Sequence, residues 1–375
     1  MKQKHRIAII GAGMICNAAH LPSLEPLRSR GSVDIVAIAD IRLQAAMETA
    51  KRHKIPAWFE DPQKMLDEVK PDWVSICTPN HRHNWSIQAL RAGANVMCEK
   101  PLALTYRDAK EMFDEAKKQG KLLFPCQSRR WSSDMVFASD VIRKGLIGNP
   151  YFADINFVRR YGIPTWGMFH MKEENGGGPF CDLGVHFIDS FLWMCGNPRV
   201  EAVSGSTFDM IAKKGEDILL SINESGAFAG LFTPRPYDHN EFSVEDSSVG
   251  SMRIAGNIAV NFKFTWAMHQ PTSKHIAICG DKGGLDVEQM LLYQNVGGYQ
   301  SEIKLKYFDN RPFAGVPFDA HRYMYEHVLD VIENRQESCV KPEETLNVVS
   351  AIEAFYRSAE ENREIQTAAL EGYDK

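Results

Sequence analysis

The chain has 375 residues, 44% apolar and 24% charged, with a formal net charge of −5 at pH 7. That length exceeds what one simple core organises, so two domains are expected. The acidic balance, with no block of like charges, argues against a nucleic-acid or membrane-surface partner, and no run approaches the ~18 apolar residues of a membrane span. Eight cysteines are scattered with no CxxC pair. Several, including Cys77, Cys98 and Cys279, fall in apolar strand-like runs, the pattern of buried thiols in a reducing compartment.

The first element, Arg6-Ile7-Ala8-Ile9-Ile10, is a short apolar strand. The basic residues ahead of it mimic a signal peptide, but the apolar stretch is needed as structure, so a cytoplasmic protein is expected. The turn Gly11-Ala12-Gly13-Met14-Ile15-Cys16 leads into a helix, and Val33 to Ala39 forms a second strand that ends at Asp40. Strand, glycine turn, helix, strand and acid in that order make a dinucleotide-binding βαβ unit. Gly11 permits the tight turn, Gly13 lets the backbone approach a pyrophosphate, and Met14 and Ile15 open the helix whose N-terminus would hold it. Asp40 is placed to accept hydrogen bonds from the adenine-side ribose, which favours NAD, while the adjacent Arg42 keeps NADP open. Cys16 stands where the fingerprint has its third glycine.

Trp73 to Cys77 and Asn95 to Cys98 read as parallel-type strands, with a helix over Trp85 to Ala92 between them closed by Gly93. A further helix spans Thr105 to Gln119 and stops at Gly120, followed by the strand Leu122-Leu123-Phe124. The alternation predicts a doubly wound parallel sheet, a Rossmann domain over 1–125. Over 126–375 the rhythm changes. Ala153, Ile155 and Phe157 alternate with polar residues, Met252 and Ile254 mirror Ile258 and Val260 across Gly256-Asn257, and a second turn follows at 280–284. A largely antiparallel sheet is expected, packed by helices on one face and available to a partner subunit on the other. Helices over Asp319 to Asn334 and from Pro342 close the chain.

Ligands in such folds bind beyond the carboxyl ends of the parallel strands. Those positions hold Thr78-Pro79-Asn80 with His83 after one strand, and Glu99-Lys100-Pro101 after the next. Gly176-Gly177-Gly178 then leads into an apolar helix on which Asp182, His186 and Asp189 form one polar stripe. Polar groups on a buried helix either pair or line a wet cavity. The three glycines favour the cavity, because they would let backbone approach a ligand closely. Arg160, Trp166, His170 and Lys172, in the loop before the glycines, are candidate substrate contacts. His81 and His83 form an H-x-H pair, yet no cysteine or carboxylate stands at ligand spacing, and no metal is expected.

Taken together, these segments resemble the Gfo/Idh/MocA family of nicotinamide-dependent sugar and polyol oxidoreductases. The resemblance extends to Gln127 with Arg130-Trp131, to 160–164 and to Trp166-Gly167. It implies a Rossmann domain followed by an α/β domain with a large open sheet that commonly builds dimers or tetramers. It also implies a catalytic group matching Lys100, Asp182 and His186. In that setting a neutral imidazole suits the general base, so His186 takes that role. Asp182 holds the sugar or orients the imidazole, and Lys100 steadies the reacting oxygen. The expected activity is an NAD-dependent dehydrogenase acting on a hydroxyl of a sugar, inositol or sugar derivative. Two alternatives stay open: a redox-neutral NAD-dependent glycosidase, and a nucleotide-sensing regulator of the same fold that has lost the chemistry.

Overall fold

The computed structural model describes residues 4–79, 84–214, 219–220 and 230–373. Its first half alternates strands β1 (His5–Ile10), β2 (Val33–Ala39), β3 (Ala57–Phe59), β4 (Trp73–Ile76), β5 (Asn95–Cys98) and β6 (Leu123–Pro125) with helices α1 (Leu21–Ser29), α2 (Leu43–His53), α3 (Pro62–Val69), α4 (Asn84–Arg91) and α5 (Tyr106–Gln119). All six strands are parallel, in the order β3-β2-β1-β4-β5-β6. The reversal of order between β1 and β4 opens a crevice at their carboxyl ends. Local signals act as the sequence suggested: Thr105 Oγ1 accepts from Asp108 N at 3.1 Å to start α5, and Gly120 ends it at φ +61°.

The second half adds α6 (Ser133–Arg143), β7 (Pro150–Val158), β8 (Ile163–Pro164), α7 (Lys172–Asn175), α8 (Val185–Met194), β9 (Val200–Phe208), β10 (Leu219–Leu220), β11 (Ser247–Ile254), β12 (Ile258–Thr265), β13 (Ser273–Gly280), β14 (Gly284–Asp286), β15 (Leu291–Val296), β16 (Tyr299–Lys304), α9 (Asp319–Ile332), α10 (Pro342–Glu361) and β17 (Ile365–Gln366). Nine of these strands form one sheet, β16-β15-β14-β13-β7-β12-β11-β9-β17, antiparallel throughout except where β7 and β12 run parallel. Gly256 and Asn257 turn the β11–β12 hairpin with φ of +85° and +62°, values that explain the choice of these two residues. Helices α8 and α10 cover the sheet through Phe187, Phe191, Ile352 and Phe355.

Helix α9 departs from this division. Its Met324, Tyr325, Val328 and Leu329 pack into the core formed by Ile7, Leu24, Trp73 and Phe124 of the first half. A helix reached only after eight of the nine strands of the large sheet therefore completes the Rossmann core.

Candidate active site

The crevice at the end of β1 and β4 is lined by Gly11, Gly13, Asp40, Arg42, Thr78 and Pro79, with Gly167, Met168 and Arg235 entering from the second half. Gly11 sits at φ +101°, and a Cβ there would lie 2.9 Å from the Cys77 carbonyl carbon, so only glycine fits. At Gly13 an added Cβ would meet nothing within 4 Å, leaving the backbone open to a ligand. Asp40 holds this turn: its Oδ2 accepts from Ala12 N and its Oδ1 from Arg42 N, both at 2.8 Å. Met14 and Ile15 are half-buried at the start of the helix and do not line the crevice. Cys16 is fully buried, packed in the core with Cys77, and begins a π-helical turn over Cys16–His20. Asn80 and His83, and the His81/His83 pair, lie outside the described residues.

A strap from the second half, residues 231–235, lies against the crevice beside Arg42. Arg42 Nη1 donates to Thr233 O at 3.1 Å, Arg52 donates to Leu231 O, and Thr233 Oγ1 donates to Glu48 Oε2 at 2.9 Å. Arg235 is fixed by two 2.6 Å bonds to Glu241.

The two halves meet at Lys100. Its Nζ lies 3.0 Å from Asp182 O and 3.3 Å from Asp182 Oδ1. The second carboxylate oxygen of Asp182 accepts from the Trp266 indole at 3.1 Å, so the group is held from both sides. Asp182 stands on a second π-helical turn, Phe180–Gly184, a geometry that recurs at functional sites. His186 follows one turn later on α8. Burial, and then the nearby charges of Lys100 and Arg129, push this imidazole well below its usual pKa, and its Nδ1 has no hydrogen-bond partner among the described residues. The depressed pKa favours the neutral imidazole, close enough to Lys100 to feel its charge.

Other expectations need correction. Asp189 does not share the cavity with Asp182 and His186: it is buried and binds Arg130 through two bonds of 2.6 and 2.9 Å, with Glu344 on the guanidinium's other side. Arg130, from a different element, claims the Asp189 carboxylate and takes it out of the stripe that regular helical spacing implied. Nor do the three glycines face a ligand. A Cβ on Gly176 would overlap Leu104, on Gly177 the Tyr356 hydroxyl and on Gly178 the Glu245 carbonyl, so this run is glycine because protein packs against it. Gly176 and Gly177 border a separate cavity with Lys172, Glu353 and Arg357.

Of the loop candidates, Arg160 is exposed and its backbone N–H bonds Thr272 Oγ1 at 3.1 Å. Its neighbour Arg159 is the one close enough to feel the Asp182 charge. Trp166 is buried with its indole N–H unpartnered among the described residues, and His170 lies 3.6 Å from Glu241. Arg159, Trp266 and His321 escaped sequence reading, since each reaches the site only through long-range packing.

Glu99 lies beneath Lys100. Burial alone would raise its pKa, but hydrogen bonding to His20 and His321 holds it well below the usual carboxylate range. His20, Glu99 and Cys126 form the one cluster with metal-ligand atom types among the described residues, and its His20–Glu99 contact is a 2.9 Å hydrogen bond.

Family models describe what this geometry belongs to. Residues 5–126 match the oxidoreductase family, NAD-binding Rossmann fold, and residues 140–367 match that family's C-terminal alpha/beta domain. The chain belongs to the Gfo/Idh/MocA oxidoreductase family. Its members include the D-glucoside 3-dehydrogenase of Escherichia coli (strain K12), 30% identical over 366 residues, or 96% of this chain and 97% of that one. The D-apiose dehydrogenase of Paraburkholderia graminis is 24% identical over 97% of this chain and 90% of its own length. Among solved structures, an oxidoreductase domain protein from Kribbella flavida superposes with a TM-score of 0.77 at 19% identity, covering 98% of this chain and all (100%) of that one. Levoglucosan dehydrogenase in complex with NADH superposes at 0.76 with 18% identity, covering 97% and 99%. These two show the fold. The family places NAD in the first half of the chain, so the protein is an NAD-dependent oxidoreductase.

Proposed function

We propose that the protein is a dehydrogenase that oxidises a secondary hydroxyl of a sugar or sugar derivative, with glucosides the first class to test. The observation that carries this reading is the Lys100–Asp182 contact where the two halves meet, with the His186 imidazole one turn beyond Asp182 and close enough to feel the Lys100 charge. Bound NAD supplies the hydride acceptor. His186 takes the hydroxyl proton as the carbonyl forms, and its depressed basicity keeps it unprotonated and ready at neutral pH. Lys100 donates to the reacting oxygen and stabilises the charge that builds there. Asp182, braced by Trp266, fixes the Lys100 amine and leaves an edge for a neighbouring sugar hydroxyl.

Asp40, which lines the crevice, favours NAD over NADP, and Arg42 is tied to Thr233 instead of standing free for a 2′-phosphate. Thr78, Pro79, Asn80, His83 and Glu99 are assigned to the cofactor side, and Arg160 and Trp166 remain substrate contacts to test beside Arg159. A homodimer or homotetramer is proposed through the face of the large sheet that α8 and α10 leave open, where Tyr293 is exposed. No described helix is long and apolar enough to cross a membrane, and all eight cysteines are free thiols, which suits a cytoplasmic setting.

The test is a screen of glucosides, free sugars and inositols with NAD and NADP side by side, following NADH absorbance. Oxidation of at least one sugar class with NAD supports the proposal. Glycoside cleavage without net NADH, or no turnover of any sugar despite NAD binding, would replace it with one of the two alternatives.

A further inference from the structure

Behind Lys100 runs a line of buried polar groups that the mechanism above does not use. Ser75 Oγ lies 3.0 Å from the Tyr325 hydroxyl, which lies 2.6 Å from His20 Nδ1. His20 Nε2 lies 2.9 Å from Glu99 Oε1, and Glu99 Oε2 accepts from the Lys100 backbone N–H at 3.1 Å. Ser75, His20 and Tyr325 are fully buried, and Glu99 is 9% exposed. His321 stands alongside, its Nε2 3.8 Å from Glu99 Oε1 and its ring edge-on to His20.

Donors and acceptors balance along this line. With His20 in the tautomer protonated at Nε2, the Ser75 hydroxyl can donate to Tyr325, Tyr325 to His20 Nδ1, and Nε2–H to the Glu99 carboxylate. A buried network is worth having only if every member is satisfied, and this one is. Its near end is the backbone of the residue whose amine meets Asp182, and its far end is Ser75 on β4, reached through Tyr325 on α9. Among these groups only Glu99, at 9%, and His321, at 8%, keep any exposure, and neither lines the crevice.

We propose that Glu99, His20 and Tyr325, flanked by His321, are positioning residues that fix the backbone at Lys100 and so aim its amine at Asp182 and the reacting oxygen. The inference rests on the dehydrogenase reading for its kinetic arm only. Outer partners of this kind typically change activity by about 10- to 100-fold when removed.

The experiment uses the full-length protein and four variants: Glu99→Gln, Tyr325→Phe, His20→Leu and His20→Gln. Glutamine can still accept from Tyr325 and donate to Glu99, whereas leucine can do neither. Two readouts are taken on each: the split of kcat against KM on an oxidised sugar, and the rate at which an acylating reagent labels Lys100, read by peptide mass spectrometry. His20→Leu and Tyr325→Phe should lower kcat about tenfold or more with KM for NAD unchanged. They should also raise Lys100 labelling severalfold, as the amine leaves Asp182, and His20→Gln should restore both. Labelling in His20→Leu equal to the parent protein, in material that melts at the parent temperature, would overturn the proposal. Should the parent oxidise no sugar, the labelling series still decides the positioning claim, separately from the functional one.

Discussion

Two glycine-led turns, at 11–13 and 176–178, each run into a π-helical turn and then an α-helix, and each delivers a group of the site. The first turn brings His20 beneath Glu99, and the second brings Asp182 to Lys100. They use glycine for opposite reasons. Gly13 has open space where a side chain would stand, facing the crevice, whereas Gly178 has the Glu245 backbone there. Glu245 accepts from Gly178 N at 2.9 Å and from the Tyr356 hydroxyl at 2.8 Å, so the second turn is clamped by protein. A glycine run thus says that something comes close, and only the surroundings say whether it is ligand or chain.

Perturbing either side should separate these roles. The largest effect falls on the helix after the second turn: His186→Ala should lower kcat by about 10³-fold, the scale of a lost general base, while NAD binding measured by calorimetry stays near the parent value. Gly178→Ala should act through folding. Its methyl overlaps the Glu245 carbonyl, and overpacking a clamped backbone should cost about 3 kcal/mol, read as a lower midpoint in urea. Gly13→Ala should leave that midpoint unchanged and weaken NAD binding about tenfold, because the methyl occupies the space a pyrophosphate needs. If Gly178→Ala instead lost NAD affinity with full stability, the contrast between the turns would be wrong.

The smallest effect concerns pH. A depressed His186 pKa means the base form persists below the ordinary imidazole range, so kcat/KM should stay level through pH 6.5 and fall only in more acid solution. Burial contributes most, then Lys100, then Arg129. Arg129→Met removes one of those positive charges and should move the acid limb of the profile upward, while Arg129→Lys should leave it in place.

The Rossmann half was legible because its signals are local: short continuous apolar strand runs, a turn residue at helix ends, an acid one strand later. The β11–β12 hairpin was legible for the same reason. Lys100, Asp182 and His186 could be nominated as residues following strands or lining an apolar helix, though their convergence could not be read from spacing. The stripe through Asp189 failed because Arg130, from a different element, claims that carboxylate. His321, Tyr325 and Trp266 gave no signal at all, since each looks like an ordinary helix or strand residue until a distant element packs against it.

The chain order of α9 carries a practical lesson for anyone recombining these halves. Tyr325 and Leu329 fill the interior between Trp73 and Leu24, at 0% and 1% exposure, although nearly two hundred residues separate them from the end of that sheet. A graft of the nucleotide-binding half onto another catalytic half would leave that interior hollow and cut loose the tyrosine behind the lysine, so a working chimera must carry residues 319–332 along with it.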